Sequence, residues 1–498
     1  MSGTAAEDTH ISNVHPPDWA NPSPRAKYHL VVIGGGTGGL VTAAIASGLG
    51  AKVALVERHY LGGDCLNVGC VPSKALIRAA RAWREAREAH THFGGPSVNG
   101  GESFEVAMAR MRTIRAGLSA IDSAARYRSL GVDVFFGEAR FVAGDTVDVD
   151  GRKLRFHRAV IASGSRPLVP PIPGLSGSNY LTNESIFSIS ELPRRLAVIG
   201  GGPIGAELAQ AFARFGSSVT ILELGKRILA NDDPDAAKVV ARSLERDGVR
   251  LLTDVKVEQV KTTNGTTRVA YTRAGEPGTV EAEALLVSSG RAPNVDGLGL
   301  EAAGVEYDRG KVFTDERLRT SNHRIFAVGD VTGRLQFTHT ADAHARMVVP
   351  NALFFGRKKV SDLIVPWCTY TQPELAHVGA SWSEVAKLGD DADTITIPLS
   401  EVDRARLDGS DDGFFRVHLK KGSDRILAAT IVADNGGDII SQLSQGITHQ
   451  MGLGAIGKTI FPYPTQAEAV RKAADQYQRR KLTSRARKVL DLYFRIVR

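Results

Sequence analysis

The pattern that most restricts how this chain can fold is a strand, a glycine turn, a helix, a second strand and an acid, and it occurs twice. In the first copy the apolar run Tyr28–Ile33 leads into Gly34-Gly35-Gly36-Thr37-Gly38-Gly39. Small and aliphatic residues follow from Leu40 to Leu49, then a strand from Lys52 to Val56 that ends at Glu57. In the second copy Leu196–Ile199 leads into Gly200-Gly201-Gly202-Pro203-Ile204-Gly205, a helical stretch from Ala206 to Phe215, a strand from Ser218 to Leu222, and Glu223. The acid lies 23 positions after the first glycine in both copies, from 34 to 57 and from 200 to 223. Glycines permit the tight turn and close approach of a pyrophosphate, the helix N-terminus favours phosphate, and a carboxylate there accepts from a ribose hydroxyl. The chain therefore reads as α/β, with two Rossmann-like dinucleotide-binding domains.

Between the copies, in Gly62-Gly63-Asp64-Cys65-Leu66-Asn67-Val68-Gly69-Cys70-Val71-Pro72-Ser73-Lys74, stand two of the three cysteines. Residues Ser73 to Ala89 are rich in Ala, Arg and Glu, which places Cys70 at or inside the first turn of a helix. There the unpaired N–H groups and the dipole favour a thiolate. Cys65 lies within reach to resolve it, as a reversible dithiol–disulfide switch requires. Zinc would need two further Cys or His ligands at short spacing, and Cys368 stands alone. A purely structural bridge fits poorly with so few cysteines and no secretion signal.

A chain of 498 residues holds about three domains. Met1–Lys27 has no apolar signal core and no segment reaches the ~20 apolar residues of a membrane span, so a cytoplasmic protein is expected. Pro16, Pro17, Pro22 and Pro24 mark residues 1–27 as a disordered tail. Three short runs then recur at strand ends. Arg158–Pro167 closes the first unit, before a linker at Pro170, Pro171 and Pro173; Ala284–Asn294 closes the second; and Arg324–Asp330 ends in Gly329-Asp330. Asp330 can meet a polyol hydroxyl or cap a helix or turn. From Val360 the pattern changes to short strands separated by polar turns, with helices over Asp438–Met451 and Thr465–Gln478 and no phosphate loop. This is the candidate dimerisation domain, of α+β type.

The boundaries read as 28–178 and 298–359 for the two parts of the first domain, 179–297 for the second, 360–478 for the third, and 479–498 for a tail. Much of the net charge of +8 sits in that tail: eight basic residues between Arg479 and Arg498 against Asp491, interleaved with Leu490, Tyr493, Phe494 and Ile496. Such a helix can rest weakly on an anionic membrane or pack as a solvated helix on its own protein. No motif indicates specific nucleic-acid binding. Cys368 reads as a buried small hydrophobe, and His339 and His344 as helix-start or surface residues, because their spacing of five suits no metal pair.

These motifs together resemble the flavoprotein disulfide reductases, the class I pyridine nucleotide-disulfide oxidoreductases, from Tyr28 to Tyr477. The resemblance is strongest to the mercuric reductase branch and extends to dihydrolipoamide dehydrogenase. Its carriers are both glycine turns, the CLNVGCVPSK run, Ile161-Ala-Ser163-Gly164-Ser165, Gly290-Arg291-Ala-Pro-Asn294 and Val328-Gly329-Asp330. By that resemblance the first site holds FAD on Gly34, Gly36, Gly39 and Glu57. Gly63, Asp64, Ala139 near the adenine, Ser163, Gly164 and Gly329 would complete it, with Asp330 at the ribityl chain and Phe337, Thr338 and His339 at the pyrimidine edge. Cys70 would be the thiolate beside the flavin, Cys65 the sulfur that exchanges with substrate, and Lys74 a cation near the flavin paired with Glu207. The second site, with Gly200, Gly202, Gly205, Glu207, Glu223, Gly290 and Arg291, would hold a nicotinamide dinucleotide. Glu223 favours NADH over NADPH, although Lys226 and Arg227 could blunt its repulsion of a 2′-phosphate.

Two departures shape the expected activity. Lipoamide and glutathione enzymes carry a catalytic His-Pro near the C-terminus, where this chain has Tyr463-Pro464, while Glu468 is kept. Mercuric reductases resemble this chain in the tyrosine but end in a vicinal cysteine pair, which it does not have. Pro203 also replaces the aromatic lid of glutathione-type enzymes. The resemblance thus implies a homodimeric FAD enzyme that passes electrons from NAD(P)H through Cys65–Cys70 to a metal ion, a small oxidant or a quinone. Its rivals are a dihydrolipoamide dehydrogenase and a thiol redox sensor that docks on a membrane through its basic tail.

Overall fold

The computed structural model describes residues 3–98, 100 and 103–497, in two compact units. The first comprises Met1–Gly200, Ala211–Thr220 and Lys256–Leu363, and the second Gly201–Gln210, Ile221–Val255 and Ile364–Arg498.

The first unit is built on a seven-stranded sheet. Its order is Val132–Phe136, Val53–Glu57, Tyr28–Ile33, Arg152–Ile161, Thr146–Val149 and Ala139–Ala143, and Ile325–Ala327 also pairs with Arg152–Ile161. Pairing is parallel from Val132–Phe136 through to Ile325–Ala327 and antiparallel in the three-stranded extension. The central strands are buried on both faces, which is why they read as unbroken apolar runs rather than as alternation. Leu30, Val32, Val53 and Leu55 point into one core, while Tyr28, Val31, Ile33, Ala54 and Val56 point into the other. Helices Thr37–Gly48 and Thr338–Leu353 pack together. Strands Arg195–Ile199 and Ala284–Val287, from the second motif, pair in parallel.

The second unit carries a five-stranded antiparallel sheet, ordered Trp367–Thr369, Glu374–Gly379, Ile426–Ala433, Phe414–Lys420 and Ala392–Pro398. Phe415, Val417 and Ile431 of this sheet share a core with Ile439 and Leu443 of helix Gly436–Thr448 and with Val470 and Ala473 of helix Glu468–Arg480. Cys368 is half-buried against the same core.

Three expectations are corrected. Residues 3–27 are not a disordered tail: Gly3–Val14 is a helix with Ala6, His10 and Val14 buried. The stretch after it is tied to the edge strand Val132–Phe136. Trp19 Nε1 donates to Val134 O at 3.2 Å, and Asn21 exchanges two hydrogen bonds with the Phe136 backbone at 2.7 and 2.8 Å. The prolines stop the helix, but the polar side chains between them cover a sheet edge that would otherwise expose unpaired backbone. His344 is no surface residue, for it is 1% exposed on the inner face of its helix. In the C-terminal tail Ser484–Ile496 is a helix with none of its residues buried, less covered than a helix seated on its own protein would be.

Candidate active site

Backbone proximity explains the first glycine turn. Gly34 has φ +108°, and a Cβ on it would lie 2.2 Å from Ala162 O; one on Gly39 would lie 1.8 Å from Gly34 O. These two close strand on helix. Gly36 differs, because a Cβ there would meet nothing nearer than Gly63 Cα at 3.6 Å, and Gly164 has nothing within 4 Å. Backbone is thus open at Gly36 and Gly164, as close approach of a pyrophosphate needs, and the cradle fits a dinucleotide. Glu57 ends the adjoining strand and accepts from Gly35 N at 2.6 Å and His59 N at 2.7 Å; burial raises its carboxyl pKa.

The second turn repeats this geometry. Glu223 accepts from Gly201 N at 2.6 Å and Gly225 N at 2.7 Å, Gly200 has φ +107°, and Gly202 faces open space. Gly205 lies in the first turn of helix Pro203–Phe215. Arg227 is bound to the backbone that follows it, with Nη1 donating to Leu229 O at 2.7 Å and Nη2 to Ala230 O and Asp232 O at 2.7 and 2.9 Å. Glu207, in the same unit, accepts from Tyr370 N at 2.8 Å.

The cysteines lie in the first unit on two successive helices, Gly63–Asn67 and Cys70–Phe93, with Cys70 the first residue of the second. Gly63, at φ +57°, abuts the glycine turn: a Cβ on it would stand 2.6 Å from Gly36 Cα. Cys65 is half-buried and Cys70 exposed. Cys65 hydrogen-bonds to Cys70, and this contact first, burial second, drives its pKa up. Cys70, as the first residue of its helix, lies where unpaired N–H groups and the helix dipole favour an anion. Thr338 Oγ1 is 3.4 Å from Cys70 Sγ. Lys74 follows Cys70 by one turn and is half-buried.

Two of the carbonyls between the cysteines are held by side chains from elsewhere in the chain. Arg115 Nη1 donates to Asn67 O at 3.0 Å and Asn183 Nδ2 to Val68 O at 3.2 Å. Sequence reasoning missed both residues, since each is a lone polar side chain far away in the chain.

Asp330 Oδ2 accepts from Ser165 Oγ at 2.6 Å, and burial raises its carboxyl pKa. Arg291 is the common partner: its Nε donates to Ser165 Oγ at 2.7 Å and lies 3.7 Å from Asp330 Oδ2, its Nη2 donates to Ser165 O at 3.0 Å, and it pairs with Asp64. Arg291 and the neighbouring Gly290, grouped with the nicotinamide site in sequence, thus adjoin the first site, where two carboxylates draw the cation. Ser163 Oγ donates to Asn294 O at 2.7 Å, and Asn294 Nδ2 returns to Ser163 O at 2.9 Å. Gly329 has φ +71°, and its N–H donates to His344 Nδ1 at 3.2 Å. Burial lowers the His344 pKa to about 4, which keeps that nitrogen an acceptor. Phe337 stacks on His339 at 5.2 Å, and Ala139 is buried at the start of its strand.

Tyr463 and Glu468 belong to the second unit. Tyr463 is 71% exposed and donates to Asp403 Oδ2 at 3.0 Å; that carboxylate raises the phenol pKa. Glu468 opens helix Glu468–Arg480, and its Oε2 is buried without a hydrogen-bond partner among the described residues.

Two dinucleotide-type glycine turns and a dithiol in one chain define a disulfide oxidoreductase of the two-cofactor kind. The chain belongs to the pyridine nucleotide-disulphide oxidoreductase family: the signature of that description matches residues 28–345, and the family's dimerisation domain matches residues 365–474. Members are flavoproteins that bind FAD and use a pyridine nucleotide. A mercuric reductase of Staphylococcus aureus is 34% identical over 452 residues, covering 90% of this chain and 82% of the relative. A dihydrolipoyl dehydrogenase of Bacillus subtilis is 33% identical over 464 residues, covering 90% and 97%. Among solved structures, a Cu(II) complex of the HOCl-induced flavoprotein disulfide reductase RclA of Escherichia coli superposes with TM-score 0.80 at 27% identity, covering 91% of this chain and 100% of that one. Among the described residues no helix is long and apolar enough to cross a membrane, and no group of three or more His, Cys, Asp or Glu could hold a metal ion.

Proposed function

We propose that the protein is a homodimeric FAD-dependent NAD(P)H oxidoreductase whose Cys65–Cys70 pair cycles between disulfide and dithiol and reduces a metal ion, a small oxidant or a quinone. The observation that carries this reading is the hydrogen-bonded thiol pair at the start of a helix, on a loop whose Gly63 touches the open glycine turn. Gly34, Gly36, Gly39, Glu57, Gly63, Asp64, Lys74, Ala139, Ser163, Gly164, Gly329, Asp330, Phe337, Thr338 and His339 would hold FAD, with Arg291 orienting Asp64 and Asp330. Gly200, Gly202, Gly205 and Glu223 would hold the nicotinamide dinucleotide. When bound, the flavin supplies the two-electron relay between nicotinamide and disulfide.

Cys70 holds the charge of the reduced pair and Cys65 its proton. When two electrons leave for the acceptor, the S–H proton of Cys65 is released and one S–S bond forms. Thr338 donates to the Cys70 thiolate and steadies it. NADH is the favoured donor, because Glu223 repels a 2′-phosphate and Arg227, bound to its own loop, is not available to neutralise one. Tyr463 is ill suited to deprotonate a substrate thiol at neutral pH, its phenol pKa already raised by Asp403. Loss of a positioned base costs roughly 10²–10⁴ in rate, so dihydrolipoamide turnover should be slow despite the dehydrogenase relatives. Hg(II) and Cu(II) are acceptors worth testing first, since relatives are named for mercury reduction and a similar structure is a Cu(II) complex.

The test is a panel of Hg(II), Cu(II), quinones, lipoamide and oxygen with NADH and with NADPH, on wild type and on Cys65→Ser. The reading expects at least one of the first three classes to be reduced rapidly with NADH and to be lost in the variant. If turnover with every acceptor survives the serine change, the thiols are bystanders.

A further inference from the structure

The N-terminal segment precedes residue 28, where the family match begins, yet it is joined to the connector between the two cysteines. The joint is Arg115, in helix Phe104–Ser119, which packs on the N-terminal helix. Its side chain is 8% exposed. Nη2 pairs with Glu7 Oε2 at 2.5 Å, and Nη1 donates to Asn67 O at 3.0 Å. Asn67 is the last residue of the Cys65 helix, so its carbonyl has no partner in the helix and needs one from outside. The Asn67 side chain faces the other way, donating to Leu61 O at 3.1 Å and Gly63 O at 2.8 Å.

Further contacts fasten the segment to the same loop. Leu61 N donates to Val14 O at 3.1 Å, Val14 shares a core with Leu61 and Leu66, and buried His10 lies beside Arg115 and Asn67. Asn13 Nδ2 donates to Ser119 Oγ at 2.9 Å.

We propose that residues 3–21 form a strap that positions the Cys65–Cys70 connector through Glu7, Arg115 and Asn67, and so sets the dithiol–disulfide equilibrium of the pair. The proposal rests on the redox role given to these cysteines above. Forming the disulfide requires the sulfurs at ~2.05 Å within a narrow range of Cα separation, so the placement of the Cys65 helix relative to Cys70 enters that equilibrium. A guanidinium that bonds Asn67 O and is held by Glu7 fixes that placement, and a contact that differs in strength between two states biases the equilibrium between them. Arg115 is a positioning residue here and touches neither sulfur.

The experiment equilibrates the full-length protein with oxidised and reduced dithiothreitol. One S–S bond of the reagent breaks as the protein's forms, two hydrogens passing to the reagent, and the protein dithiol fraction is read by alkylation and mass. Glu7→Gln removes the charge that fixes Arg115, and Arg115→Lys keeps a cation but cannot serve both partners. Each should shift the equilibrium constant about three- to tenfold. Asn21→Ala, which loosens the strap only at the edge strand, should leave the constant within twofold, so general destabilisation is told apart from positioning. Equilibrium constants within twofold of wild type in both Glu7→Gln and Arg115→Lys would overturn the strap alone. A wild-type protein that forms no Cys65–Cys70 disulfide under any ratio would overturn the redox reading as well.

Discussion

Single residues in this protein act by deciding where protons sit. The contact with Cys70 and then burial raise the Cys65 pKa, and His344, kept neutral by burial, accepts from Gly329 N at Nδ1. His377 does likewise in the second unit, with Nδ1 on Thr430 Oγ1 at 2.8 Å, Nε2 on Ala380 O at 2.9 Å, and burial lowering its pKa to about 4. Both folded-state values lie below the ordinary 6.5, so the unfolded chain binds more protons between these limits. Stability is therefore complete above about pH 6.5 and declines as pH falls toward 4. A depression of this size corresponds to roughly 3 kcal/mol per histidine once pH is below both values. Thermal unfolding from pH 7.5 to 4.5 should show that decline, and His344→Gln should flatten part of it. A melting temperature in that variant that falls with pH as steeply as in wild type would contradict this origin. His344 was misread from sequence because its spacing from His339 showed only that the two face different sides of a helix. Burial depends on which side meets Gly329, and that is settled by packing.

At the level of elements, the glycine turns were legible because each requirement is local: φ above zero at Gly34 and Gly200, contact distances at Gly39, and an acid at a fixed offset. The N-terminal helix was not legible, since its stability comes from a groove formed by residues a hundred positions away, and the prolines behind it look the same in a tail and in a strap. The turn glycines do different jobs, which Ala substitution should separate. Gly34→Ala places a Cβ 2.2 Å from Ala162 O at φ +108° and should destabilise the fold by several kcal/mol. Gly36→Ala makes no contact closer than 3.6 Å, to Gly63 Cα, and should leave the unfolding temperature of the flavin-free protein nearly unchanged while sharply lowering flavin retention. Absorbance of the purified variants together with their melting curves checks both. Full flavin content in Gly36→Ala would remove that glycine from the site.

On the scale of the whole molecule, the sequence conveyed the class of architecture, but not that Arg291 lies beside Asp64 and Asp330. Its position just after a strand matches the nicotinamide motif in sequence. Only the antiparallel pairing of Arg291–Pro293 with Ser165–Pro167 brings its guanidinium to Asp64 and Asp330. The same long-range pairing unites residues from four stretches of chain around one cradle beside the dithiol. The central claim is that this cradle and this dithiol form one electron path. Anaerobic titration of the FAD-loaded, oxidised protein with NADH measures it most directly. Wild type should take up about two NADH per protomer, one for the flavin and one for the disulfide, and Cys65→Ser about one. Equal uptake of a single equivalent by both proteins would contradict the account.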